Sequence, residues 1–285
     1  MGKAARAVTI GMLKAMPAKW DVEGNWAIFE EQLKRHKGDG IDVFVTPECF
    51  LDGYAVTESD WTLRKFARVA QSMDDSPYIR KVRQMARRYD MTIVFGFTEL
   101  LDGHFRNAAA LIGRDGDLVG KYHKTHLLNH DLRFARGGDL PVFDLDIGRV
   151  GMVICADRRW PESVRTLRLK GAEICLMPTY GMRHLENEWW MRTRSYENQM
   201  FVCFTHPAVA LITNPKGGIE AKLDSNVHDV LVHEIDLAEV NDDNHLANRR
   251  PELYDVLTDS SHSSVQQAYD APRTRAKGAG RSRGR

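Results

Sequence analysis

Short apolar runs rich in β-branched residues alternate along the chain with longer segments whose apolar residues recur every three or four positions. Residues 8–13 read as a strand. Val22, Trp26, Phe29 and Leu33 then share one face of a helix that stops near Gly38 and Gly40. Residues 41–47 form a second strand, which runs into Glu48. Ser76-Pro77 opens another helix, because serine can cap the first turn and proline has no N–H to lose there; Tyr78, Val82, Met85 and Tyr89 form its apolar face. These stripes are core, not cofactor contacts.

Residues 91–98 read as a strand ending near the turn at Asp102-Gly103. Residues 106–113 and 117–122 make a hairpin around Arg114-Asp115-Gly116, and 141–147 pairs with 149–154 at Gly148. Downstream come a helix after Pro161, a strand at 174–177, a helix over 185–199, and strands near Phe201, Val209 and Val230. Strands alternating with helices, hairpins included, predict an α/β protein with mixed sheets covered by helices. The chain shows no internal repeat and no linker before its tail.

Three of these strands end in reactive side chains. One leads to Glu48, a second, over 118–123, leads to Lys124, and a third ends at Cys155 just before the helix that opens at Pro161. Strand ends can converge above a sheet, so a base, a cation and a thiol could meet there. A cysteine at a strand-to-helix elbow is held clear of the sheet, where backbone N–H groups can face an oxyanion. By itself Cys155 would read as one more buried small hydrophobe.

Pro47-Glu48 with Asp52-Gly53-Tyr54, then Lys124-Thr125-His126-Leu127, then Cys155-Ala156-Asp157 with Trp160-Pro161-Glu162 resemble, in order, the three signatures of the nitrilase superfamily of carbon–nitrogen hydrolases. The resemblance spans residues 8–254. It includes Asn107-Ala108 with Gly116, Gly171-Ala172 with Pro178, Glu197-Asn198, and the run from Arg249 to Tyr254. It implies a four-layer α-β-β-α sandwich and a Glu48, Lys124, Cys155 triad that needs no metal or cofactor. Many members place a second glutamate in the loop after the lysine; here that loop has none, and Asp131 is the candidate in its place.

Around Cys155 the run Asp157-Arg158-Arg159-Trp160-Pro161-Glu162 is most similar to the N-carbamoyl-D-amino-acid amidohydrolases, whose paired arginines hold a substrate carboxylate. Ala156 departs from their usual asparagine, as does the segment after Pro178. The resemblance therefore implies an amidase or N-carbamoyl amino acid amidohydrolase acting through a thioester and releasing ammonia. A nitrilase acting on C≡N is the alternative, as is a catalytically silent binding module. Arg158 and Arg159 are the candidate carboxylate contacts, with the Ala156 N–H, His126 and Tyr54 around the substrate. Cations at the N-terminal end of a helix oppose its dipole, which suggests use.

Ordinary affinities put a carboxylate about four pH units below a thiol, so proton transfer from Cys155 to Glu48 costs roughly 5–6 kcal/mol in a water-like site. An enclosed pocket would narrow the gap, burial raising the carboxylate and an ammonium lowering the thiol. His123 and His126 have the HxxH spacing of a metal pair, but on a strand they would face opposite ways. His206 is a further possible contact. Asp157 is expected to satisfy backbone or arginine groups near the elbow, and Trp189 and Trp190 either wall the pocket or fill the core.

Composition adds bounds. A chain of 285 residues that is 43% hydrophobic can bury one large core, taken as residues 1–270. Residues 271–285 hold six cations and no acid, and read as a disordered basic tail. Without those six the formal charge of +1 becomes −5, which implies no nucleic-acid surface. Four cysteines without CxxC spacing read as thiols. No apolar stretch suits a membrane span or a signal peptide, so a cytoplasmic protein acting on a small molecule is expected. A homodimer or larger homo-oligomer is expected by resemblance.

Overall fold

The structure is a computed structural model that describes residues 6–182, 186–241 and 245–262. The basic tail and residue 185 lie outside the described residues. Twelve strands among these form two six-stranded mixed sheets. In the first, β12 (Asp229–Asp236), β1 (Ala7–Lys14), β2 (Val43–Val45), β3 (Thr92–Leu101), β4 (His104–Ile112) and β5 (Leu118–His123) lie side by side. The second has the order β11 (Ile219–Leu223), β10 (Val209–Thr213), β9 (Phe201–His206), β8 (Ile174–Pro178), β7 (Gly148–Met152) and β6 (Val142–Leu145). Each sheet has a parallel central triplet, β1-β2-β3 or β7-β8-β9, flanked by antiparallel strands.

The alternation of side chains explains the layering. Ile10, Met12, Val43 and Val45 leave one face of the first sheet and meet Met152, Ile174, Leu176 and Phe201 of the second. Phe44, Ile93 and Phe95 leave the opposite face and pack on Trp26, Phe29 and Leu33 of α1 (Val22–Arg35) and Tyr78, Val82 and Met85 of α3 (Pro77–Tyr89). Helices α4 (Pro161–Leu169) and α5 (Glu186–Asn198) cover the second sheet. The four-layer α-β-β-α arrangement is the one the resemblance implied. The two helices on the first sheet begin at side-chain caps. Asp21 accepts the Gly24 N–H ahead of α1, and Ser76 accepts those of Tyr78 and Ile79 ahead of α3.

Two elements were absent from the sequence reading. Helix α2 (Leu63–Val69) is only seven residues long and buries Phe66 and Val69, too few repeats to establish a period. Strand β11 lies at a sheet edge and is largely solvated, so its residues do not alternate in the apolar sense. Strand β3 also runs on to Leu101, because Glu99 is paired within the fold and continues the ladder.

One close approach fixes the base of the site. A Cβ on Gly96 of β3 would lie 2.2 Å from the Pro47 carbonyl oxygen, so only glycine lets the chain before Glu48 cross here.

Candidate active site

Glu48, Lys124 and Cys155 follow β2, β5 and β7. Glu48 therefore belongs to the first sheet's central triplet and Cys155 to the second's. The segment after β8, the middle strand of the second triplet, supplies a fourth wall. The Tyr180 N–H donates to Glu48 Oε2 at 2.9 Å, and the Glu48 N–H donates to the Thr179 carbonyl at 3.4 Å. The Tyr180 backbone also favours the Cys155 thiolate. A backbone donor carries no sequence signature, so Tyr180 escaped the sequence reading.

Glu48 is fully buried. Its Oε1 accepts from Lys124 Nζ at 2.8 Å and from Asn107 Nδ2 at 2.7 Å. Lys124, 1% exposed, also donates to Asp131 Oδ2 at 2.7 Å. Asp131 in turn accepts the Tyr54 hydroxyl and the Leu128 N–H. Burial alone would drive the Lys124 ammonium toward neutrality. Glu48, Cys155 and Asp131 outweigh it, and the lysine is held well above its ordinary range, a fixed cation.

Cys155 opens a single 3-10 turn, Cys155–Arg159, with φ +47°. A non-glycine residue in the left-handed region costs on the order of 1 kcal/mol or more and persists where neighbours enforce it. Enforcement comes from Asp157, which is fully buried. It accepts the Ile154 N–H at 2.9 Å, the Tyr122 hydroxyl at 2.7 Å, the Thr125 hydroxyl and the His126 N–H, both at 2.9 Å, and lies 2.7 Å from His126 Nδ1. Its partners are thus the lysine loop and the elbow backbone, with no arginine. Burial would raise the Asp157 carboxyl, but His126 and the other donors hold it below the ordinary range.

The Cys155 thiol stands above its usual range. Burial comes first and Glu48 second, and together they exceed the lowering by Lys124 and Arg158. The expected ammonium effect is present, but burial and Glu48 outweigh it.

The two arginines part company. Both lie on the 3-10 turn that ends at Arg159, directly ahead of the Trp160 N-cap of α4. Arg158 is 1% exposed, with Nε on Asn187 Oδ1 at 2.9 Å, Nη1 on Cys155 Sγ at 3.2 Å and Nη2 on the Gly181 carbonyl at 3.3 Å. Arg159 is exposed and rests on Met182 Sδ at 3.1 Å. Trp190 packs under the Arg158 guanidinium, whereas Trp189 is 60% exposed and fills no core.

Tyr54 is buried beside Lys124, its ring 5.1 Å from that of Tyr180. His126 stacks on Trp160 at 4.2 Å. His123 Nε2 is bonded to Glu99, so the HxxH histidines serve different carboxylates. His206 is buried and accepts the Ala208 N–H. Among the described residues no cluster of His, Cys, Asp and Glu could hold a metal, and no helix is long and apolar enough to cross a membrane. All four cysteines are free thiols.

The sequence pattern of the carbon–nitrogen hydrolases matches residues 5–244. The chain belongs to this family. Among relatives, a nitrilase of Pyrococcus abyssi is 29% identical, covering 87% of this chain and 98% of its own. A citrullinase of Francisella tularensis is 26% identical over 82% of this chain and 92% of its own. An amidase from Nesterenkonia sp. has the same fold, with a TM-score of 0.76 at 20% identity, covering 90% of this chain and 97% of that one. The carbon–nitrogen hydrolase chemistry of the family requires a nucleophile, a proton acceptor and an oxyanion partner. Cys155, Glu48 and Lys124 are residues of those three kinds, brought to one enclosed place.

Proposed function

We propose that this carbon–nitrogen hydrolase cleaves a small linear amide or ureido compound bearing a carboxylate, through a thioester on Cys155. The observation that carries this reading is Arg158. It is a buried guanidinium with no carboxylate among the described residues within ion-pair distance, and one of its terminal nitrogens lies on the nucleophile's sulfur. A buried cation without an acidic partner is costly unless an anion joins it. A substrate carboxylate would do so in a bidentate fork, and citrulline, from which the citrullinase relative takes its name, carries a ureido group and a carboxylate in one small molecule.

In this mechanism Cys155 gives its proton to Glu48 as the sulfur attacks the carbonyl carbon. The transfer neutralises the carboxylate that had been raising the thiol, which removes one of the two opposing effects. Lys124 and the Ala156 N–H face the developing oxyanion. Collapse expels ammonia or an amine, protonated from Glu48, and leaves an acyl- or carbamoyl-thioester. Glu48 then deprotonates water, which adds to the thioester; the thiol leaves with that proton. Asp131 and Asn107 keep Lys124 and Glu48 in register, and His126 and Tyr54 line the substrate's surroundings.

The test is an ammonia-release screen of N-carbamoyl amino acids, ω-amides and nitriles, with Cys155→Ala as blank. Turnover of carboxylate-bearing amides or ureides, lost in the blank and accompanied by a trapped Cys155 adduct, is the expected result. Turnover of nitriles alone would overturn the substrate class, and activity surviving in Cys155→Ala would overturn the mechanism.

A further inference from the structure

Helix α5 buries a mostly polar face: Asn187, Met191, Arg194, Ser195 and Asn198. Residues seven apart lie two turns along the same side of a helix, and both Asn187 and Arg194 end on Arg158. Arg194 donates Nε to the Arg158 carbonyl at 3.1 Å and Nη2 to the Arg159 carbonyl at 3.3 Å, which holds the backbone of the elbow. Asn187 holds the side chain. Its Oδ1 accepts the Arg158 Nε, and its amide nitrogen donates to the Met182 carbonyl, tying the segment after β8 to the same point. Once Nε is fixed, the planar guanidinium keeps one orientation, and that orientation puts its terminal nitrogens on Cys155 and Gly181.

We propose that Asn187 is a positioning residue that aims Arg158, and so sets both the preference for carboxylate-bearing substrates and the reactivity of the Cys155 thiol. The substrate half of this inference rests on the reading of Arg158 given above. The choice of an amide is the point. A neutral acceptor orients the guanidinium without cancelling its charge, which stays available to the sulfur and to an incoming anion. An aspartate at the same place would pair with the arginine and spend that charge.

Asn187→Asp and Asn187→Leu are assayed on an N-carbamoyl amino acid and on the matching neutral compound that lacks the carboxylate. Iodoacetamide alkylation of Cys155 is followed against pH in the same variants. Asn187→Asp should raise KM for the acid by about tenfold or more and keep the neutral compound within about threefold. It should also move the alkylation midpoint upward by roughly half a pH unit, because the added carboxylate offsets the cation beside the sulfur. Asn187→Leu should move KM for the acid in the same direction by less. Equal losses on both substrates with an unmoved alkylation profile would make Asn187 a packing residue and overturn the inference. Arg158→Gln separates the two levels. If it fails to discriminate between the substrates, the carboxylate reading itself falls. If it discriminates while both Asn187 variants behave as wild type, only the positioning role falls.

Discussion

The Lys124 ammonium lies 2.7 Å from Asp131 Oδ2, so this aspartate, one methylene shorter than a glutamate, gives the lysine a second carboxylate beside Glu48. The shorter side chain reaches because the chain turns sharply at Asn129–Asp131 and brings its backbone close to the lysine. Asp131→Ala leaves a buried ammonium with Glu48 as its one carboxylate partner. We expect kcat/KM to fall about 100-fold and the fold to lose about 3 kcal/mol. Steady-state kinetics and thermal melts check this, and a change in kcat/KM smaller than twofold would show that Asp131 has no part in the reaction.

Asp157 joins the lysine loop to the elbow at Cys155, and Asp157→Ala strands several buried donors at once. We expect a loss of about 3 kcal/mol, a Tm lower by roughly 6–12 °C, and activity lost beyond what the melt explains. Because its carboxyl is held below the ordinary value, its contribution is complete above about pH 4 and disappears as the pH falls through the folded-state value. A Tm difference between wild type and variant that is as large at pH 2 as at pH 7 would contradict this.

Asp52 behaves in the opposite sense. Fully buried, with the Ala55 and Thr98 N–H groups on its oxygens, it is pushed by desolvation up to about 6. A folded-state value above the unfolded one means that the fold binds the proton more tightly. Stability from this group therefore grows as the pH falls from 7 to 5 and is lost as it rises through 6. The Tm of wild type minus that of Asp52→Asn should increase by roughly 2–4 °C between pH 7 and pH 5, corresponding to about 1 kcal/mol. A flat difference would place the Asp52 carboxyl in its usual range.

Gly96→Ala probes the floor beneath Glu48. The new methyl group must displace the Pro47 carbonyl, which it would meet at 2.2 Å. We expect a cost of about 2 kcal/mol in stability, together with a fall of about tenfold in kcat as Glu48 is pushed out of line with Lys124 and Cys155. Urea unfolding and kcat measured on one preparation separate the two effects, and unchanged kcat would show that the shift is absorbed before Glu48.

The strand ends were legible because Glu48, Lys124 and Cys155 each terminate an apolar run, and the resemblance put them in one place. The layering was legible in the helical stripes of α1 and α3, while the resemblance supplied the number of layers. What escaped was set by contacts between distant segments. Adjacent residues of the same type, Arg158 and Arg159, end one buried and one exposed, and no local pattern distinguishes them. Asn187 and Asn107 are ordinary polar residues until a helix face or a strand register brings them to Arg158 and Glu48. The direction of the thiol's shift depended on the balance of burial, one carboxylate and two cations, which spacing does not give.

Hydrogen bonds from the Tyr180 N–H to the Glu48 carboxylate and from the Glu48 N–H to the Thr179 carbonyl stitch the two sheets together beside Glu48. A chain that has completed either layer alone owns a carboxylate without a sulfur, or a sulfur without a carboxylate. In the proposed mechanism, hydrolytic power therefore arrives only with docking of the two halves. Recovery of turnover after dilution from denaturant would report the meeting of the two sheets, which circular dichroism of helices and strands does not single out.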